Sequence, residues 1–257
     1  MKGTIMSHTL TIQYLYNSGF TIDYQDTFVV IDYWKGDLVL PTNKRILFIV
    51  THAHADHYNP AIFSFPGSED ALYVLSEDVE RIEEQGNILQ LSSSPAQTRA
   101  RKIAYNAART RRVEPNMQFD FGGMSFQTFP STDQGFSILF TLHQVNFFHA
   151  GDLNAWKWPS FSEAEQKREV RDYLRVLREV TVHPIDIGFG VVDPRLEENA
   201  MLGGAYFLKH LHPQIFIPMH FRDHPEITEE FHSRYRSDTG TLIQTITHAG
   251  ERFVIQA

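Results

Sequence analysis

Thr51-His52-Ala53-His54-Ala55-Asp56-His57 places four metal-ligating side chains within six residues, immediately after the apolar run Arg45–Val50. That run reads as a buried strand, so the histidines begin where a strand ends. In extended backbone alternate residues project to one side, which groups His52, His54 and Asp56. A turn after Asp56, supported by Asn59-Pro60, then brings His57 to a neighbouring position. Burying four such groups unpartnered is costly, and imidazole with carboxylate suits Zn, Mn or Fe. The chain of 257 residues has 13 histidines and no cysteine, so any metal must be held by His, Asp or Glu.

Working outward, two more ligand-type residues stand at strand ends. Asp152 follows Val145–His149 through Ala150-Gly151, where the glycine permits a tight turn. His220 follows an apolar strand over 215–217 and Pro218-Met219. Short strands rich in β-branched and aromatic residues are expected over 10–15, 20–24 and 27–32, with further strands over 73–75, 137–141 and 185–192. Gly122-Gly123 marks a hairpin. Ser162 with Glu165 forms a capping-box signature for a helix reaching Val180. Other helices are expected over 78–85, 196–211 and 228–236, the second facing inward through Met201, Leu202, Ala205, Tyr206 and Leu208. Strands over 242–247 and 252–255, joined through Ala249-Gly250, close the chain. Strands dominate the first half and strand–helix units the second, which predicts one layered α/β (α+β) domain over residues 1–257.

With these pieces the sequence resembles the metallo-β-lactamase superfamily. The His-x-His-x-Asp-His pattern stands as His52, His54, Asp56 and His57, the strand-end Gly-Asp as Gly151-Asp152, and the late strand-end histidine as His220. The similarity runs over nearly the whole chain and looks closest to the compact branch that includes ascorbate-6-phosphate lactonase-like proteins. It implies a four-layer αββα sandwich with one or two divalent metal ions at one edge. Zn is the expected ion, with Mn or Fe as alternatives. By that resemblance His52 and His54 bind a first metal, Asp56, His57 and His220 a second, and Asp152 bridges them. Asp32 and His149 are candidates to orient the imidazoles.

One departure stands out. The family pattern puts a further histidine between the His-rich run and the Gly-Asp pair, where this chain has Ser131-Thr132-Asp133. Asp133 is the expected substitute ligand; a single metal, or a site that binds without catalysing, are the other readings. Ser131, Thr132, Trp156 and Trp158 are candidate pocket residues, with Asn154, Lys157 and His224 nearby.

The net charge of -8 argues against a nucleic-acid partner, and the basic stretch over 99–112 is the sole support for a phosphodiesterase acting on RNA or DNA. Met1 to Leu10 shows no apolar run long enough for a signal peptide, and no window approaches the ~20 residues of a membrane span. A cytoplasmic protein without membrane contact is expected, while oligomeric state has no sequence signal. No Gly-x-Ser-x-Gly elbow or phosphate-binding glycine loop is present. The expected activity is therefore metal-dependent hydrolysis of a small-molecule ester, lactone or phosphoester by metal-bound hydroxide, with Asp56 orienting the nucleophile. The alternative is a non-catalytic metal-binding or ligand-sensing module.

Overall fold

The computed structural model describes residues 9–82, 108–237 and 240–256. Alternating burial organises its strands. In Thr27–Ile31 (β3) and Arg45–Val50 (β4), Val29, Ile31, Leu47 and Ile49 join one hydrophobic cluster, whereas Phe28, Val30, Ile46, Phe48 and Val50 join another. A two-residue period sends neighbours to opposite faces. Both faces are apolar here, so the sheet is covered on both sides.

Two seven-stranded sheets result. The first runs in spatial order Arg252–Gln256 (β14), Thr9–Tyr16 (β1), Gly19–Tyr24 (β2), β3, β4, Leu72–Ser76 (β5) and Thr110–Val113 (β6). The second runs Leu242–Ile243 (β13), Ile215–Met219 (β12), Ile187–Val191 (β11), Val145–His149 (β10), Phe136–Leu142 (β9), Met124–Pro130 (β8) and Gln118–Phe121 (β7). Both share one plan. Neighbours are antiparallel from β14 to β3 and from β7 to β10, then parallel from β3 to β6 and from β10 to β13.

The sheets face each other across the larger cluster, to which Ile12, Phe20 and Ile22 contribute from one side and Phe126, Ile138 and Phe189 from the other. On the outer face of the first sheet, Val79 of Glu77–Ile82 (α1) and Ile62 and Phe63 of the 3-10 turn Pro60–Phe63 complete the second cluster. Glu163–Val180 (α2), Leu202–Leu211 (α3) and Glu226–Tyr235 (α4) cover the second sheet with Tyr173, Phe207 and Phe231. The architecture is the expected α/β sandwich. No helix among the described residues is long and apolar enough to cross a membrane.

Several local expectations change. The helix over 196–211 is broken into a 3-10 turn, Pro194–Asn199, and α3, with Glu197 at φ 54° and ψ -118° interrupting it. The buried face of α3 is Gly203, Gly204, Phe207, Leu208 and Leu211, while Met201, Leu202, Ala205 and Tyr206 are half-buried. A β-carbon on Gly203 would lie 1.7 Å from Asn154 Oδ1 in the turn after β10, so the close approach of α3 there requires a glycine. The two closing strands belong to different sheets, β13 pairing with β12 and β14 with β1. The expected end of α1 at Gln85 and most of the basic stretch lie outside the described residues.

Candidate metal centre

Parallel strands end their C-terminal edges side by side, and in sheets of this kind ligands bind at those edges. Asp32 follows β3, Thr51 to His57 follow β4, Asp152 follows β10, Asp193 follows β11 and His220 follows β12. Five strand ends from two sheets therefore bring His52, His54, Asp56, His57, Asp152 and His220 to one place, with Asp32 and Asp193 beside them.

The described residues form two ligand groups there, His52–His54–Asp152 and Asp56–His57–His220, each with its ligand atoms within 4.8 Å of one another. The backbone differs from the extended reading in one respect. The turn begins at His54, whose carbonyl accepts from both His57 N and Tyr58 N at 2.9 Å. Asp56 thus swings away from His52 and His54 and joins His57. Asp152 faces both groups: Oδ2 is 3.4 Å from His52 Nε2, and Oδ1 is 3.0 Å from His57 Nε2 and 3.3 Å from His220 Nε2.

These atoms do not satisfy one another. His57 Nε2, His220 Nε2 and Asp152 Oδ1 are all buried without a hydrogen-bond partner, the 3.0 Å approach of His57 to Asp152 being misaligned for one. Buried polar groups left unpaired each cost about 1–3 kcal/mol. Burial raises the Asp152 carboxyl, but the facing His57 and His220 imidazoles outweigh it and hold the pKa well below the carboxylate range. Burial pushes the His57 imidazole down, yet Asp152 and Asp32 hold it well above the usual histidine value. The carboxylates demand positive charge at this spot. The imidazole nitrogens and carboxylate oxygens present fit a divalent ion of the Zn, Mn or Fe type.

The outer contacts orient the rings. Asp32, fully buried, accepts from His57 Nδ1 at 2.8 Å and from the Thr51 hydroxyl at 2.7 Å. With its proton so committed, Thr51 Oγ1 accepts from His52 Nδ1 at 3.1 Å. One carboxylate therefore sets the tautomer of an imidazole in each group, leaving both Nε2 lone pairs inward. His220 Nδ1 donates to Asp193 Oδ2 at 3.0 Å. The other candidate, His149, instead donates to Ser18 O at 3.0 Å and accepts from Gly151 N at 3.1 Å, so it braces a turn.

Above the groups opens a cavity of about 360 Å³, walled by Trp156, Trp158 and Phe161 and reached by Thr132, Asp133, Glu169, Arg195 and Arg222. Trp156 and Trp158 stack with rings 6° from parallel and centroids 6.0 Å apart. Trp156 Nε1 donates to Asp152 O at 2.9 Å, which ties that wall to the ligand turn. The Thr132 hydroxyl holds the same turn through Asn154 O at 2.6 Å.

Asp133, expected as a substitute ligand, is exposed on the cavity wall and belongs to neither ligand group. Ser131 is half-buried beside it, and its Oγ accepts from Asp133 N at 3.2 Å. Asn154 is buried against Gly203 and does not line the cavity, and neither does Lys157. His224 turns to Glu226, 3.0 Å away, outside the cavity. Sequence reading missed Asp193, Arg195, Arg222 and Asn17. The clue for Asp193 was its position at the end of a predicted strand, which it shares with Asp32, Asp152 and His220.

A scan against protein-family models gives no match, and a search of curated proteins finds none. Solved structures do match. Igni18, described as a novel metallo hydrolase from the hyperthermophilic archaeon Ignicoccus hospitalis, superposes with a TM-score of 0.63 at 14% identity, covering 97% of this chain and 99% of that one. The metallo-β-lactamase fold protein YhfI from Bacillus subtilis gives 0.56 at 10% identity, covering 96% and 99%. CmlA, a diiron β-hydroxylase from Streptomyces venezuelae, gives 0.60 at 11% identity, covering 99% of this chain and 55% of that one. Such identities speak to architecture alone, and the architecture is plain: this chain has the metallo-β-lactamase fold.

Proposed function

We propose that the chain is a metal-dependent hydrolase acting on a small-molecule ester, lactone or phosphoester. The observation that carries the reading is the convergence of three buried, unpartnered ligand atoms, His57 Nε2, His220 Nε2 and Asp152 Oδ1, at the foot of an open cavity. His52, His54 and Asp152 would hold one divalent ion, Asp56, His57 and His220 a second, with Asp152 shared. Zn is the preferred ion, with Mn or Fe as alternatives. Such ions supply a hydroxide nucleophile near neutral pH and polarise the scissile group.

The chain's own residues do the rest. Asp32 and Asp193 hold the imidazoles in register. Asp56 Oδ2 accepts from Asn17 Nδ2 at 3.2 Å and Arg222 Nη2 at 3.0 Å, which would steady the carboxylate that orients the nucleophile. Trp156, Trp158 and Phe161 exclude water from one side of the substrate. Elemental analysis tests the reading. The purified chain should carry close to two ions, and Asp152→Ala should lose both metal and turnover of model esters and phosphoesters. An Asp152→Ala protein with full metal content and activity would refute it.

One observation favours a second reading. The His52–His54–Asp152 group has no third histidine, and Asp133 stands outside it. A chain holding one ion and inactive on all these ester classes with Zn, Mn and Fe would be a metal-binding module on the same fold.

A further inference from the structure

Two arginines line the cavity without belonging to either ligand group. Arg195 donates from Nε and Nη2 to Asp193, at 2.5 to 3.0 Å, and its guanidinium lies 5.4 Å from the Trp158 ring centre. Its Nη1 has no partner among the described residues. Arg222 donates Nη2 to Asp56, while its Nε is buried without a partner. Both side chains are 39% exposed and line the cavity. Each is thus fixed by one carboxylate with donors left over, an arrangement suited to planar oxyanion recognition.

Charge around the cavity is also polarised. Arg195 and Arg222 stand with His220 and Asp56, whereas Asp133 and Glu169 occupy another part of the wall, close enough for Asp133 to help raise the Glu169 carboxyl after its burial. An anion thus meets guanidinium donors on one part of the cavity wall and carboxyls without such donors on the other. The aromatic stack of Trp156 and Trp158 adjoins Arg195, whose guanidinium lies over Trp158.

We infer that Arg195 and Arg222 form an oxyanion subsite, so that the substrate carries a carboxylate or phosphate group beside a flat apolar portion that lies on Trp156 and Trp158. This deepens the hydrolase reading by naming a substrate class, and it rests on that reading only in calling the ligand a substrate. The free Arg195 Nη1 would gain its missing acceptor from the bound anion, and the exposed end of the Arg222 guanidinium would add a second donor.

Equilibrium binding separates the two claims, because it needs no turnover. Metal-loaded protein is titrated with phenylacetate, phenylphosphonate and, as the uncharged control, phenylethanol, following tryptophan fluorescence. Phenylacetate, phenylphosphonate or both should bind at least about ten-fold more tightly than phenylethanol, and the stronger of the two identifies the oxyanion. In protein held at saturating metal, Arg195→Met and Arg222→Met should each weaken that anion by about ten-fold or more, the range for a charge-assisted hydrogen bond, with phenylethanol unaffected. Equal affinity of the native protein for charged and uncharged probes overturns the inference without any variant. So does anion affinity that depends on the metal but not on either arginine. Absent hydrolysis with intact arginine-dependent binding would instead sink the hydrolase reading and leave this subsite standing.

Discussion

Asp32→Asn removes one charge and almost no volume, and its effect follows from the donors around it. Asp32 Oδ1 accepts from Thr51 N at 2.8 Å; Oδ2 accepts from the Thr51 hydroxyl at 2.7 Å and His57 Nδ1 at 2.8 Å. An asparagine that keeps its oxygen on Thr51 N turns its NH2 toward the other two. The hydroxyl can rotate and accept. The imidazole accepts only by moving its proton to Nε2, the atom that faces the metal group. The flipped amide would set NH2 against the Thr51 N–H, leaving a buried donor unsatisfied at about 1–3 kcal/mol. In the first rotamer, which avoids that orphaned donor, His57 loses its fixed tautomer and Thr51 loses the acceptor that directs its own oxygen to His52. Loss of such an outer partner weakens metal affinity about 10–100-fold, or about 1.4–2.7 kcal/mol. Zinc titration against a chromophoric chelator measures this directly, with thermal melting of the metal-free variant as the folding control. A folded Asp32→Asn protein whose zinc affinity stays within about two-fold of the native value would refute the tautomer argument.

Gly135→Ala should destabilise the chain by about 1–3 kcal/mol in urea unfolding, because the new β-carbon would stand 2.0 Å from Thr51 O and 2.6 Å from His52 Cβ at a φ of 66°; a neutral result would mean that the loop after β8 can retreat from the ligand turn. Asp133→Ala should leave metal stoichiometry unchanged by elemental analysis, since the residue stands outside both ligand groups, and loss of one ion would restore it as a ligand. Asp193 supplies a pH test. Burial raises its pKa, but hydrogen bonds from His220 and Arg195 outweigh this and lower it from 3.8 to about 2. A carboxylate depressed on folding stabilises above its unfolded pKa and loses that contribution as pH falls through the folded one. Metal-free protein should therefore lose about 2 kcal/mol between pH 5 and pH 2 that Asp193→Asn does not. Parallel stability profiles for the two proteins would show that the pair contributes nothing.

What could be read from the sequence was local. His52 to His57 declared themselves by residue type, and the Ser162–Glu165 box forms as expected because its bonds span three residues: Ser162 N donates to Glu165 at 2.8 Å and Glu165 N to Ser162 at 3.4 Å. Strand faces followed from period two. Pairings between distant segments were hidden. Asp193 and His220 lie 27 positions apart, and Arg222 and Asp56 lie 166 apart; neither pair has a short-range signature. The extended reading of His52, His54 and Asp56 failed for a related reason, since the turn at His54 is stabilised by backbone bonds that residue type alone does not announce. Asp133 was chosen by its place in the chain, and only its exposure on the cavity wall separates it from the ligands.

Backbone strain shows how the site holds its shape. Asn17, Asp32, His220 and Arg222 all have positive φ, at 55°, 46°, 69° and 52°. Left-handed backbone costs about 1–2 kcal/mol at a residue with a β-carbon, so these four together oppose folding by several kcal/mol. They are held by hydrogen bonds among the strand ends, some within the first sheet and some across to the second. His220 N donates to Asn17 O at 3.0 Å, joining the turn after β1 to the end of β12. Asn17 Nδ2 and Arg222 Nη2 then meet on the same Asp56 oxygen, and Asp32 receives both polar protons of Thr51. Relaxing any one residue to ordinary φ would break a bond made by another, so the strain is retained by the network as a whole. A metal ion entering such a frame meets ligands already aimed and need not order them.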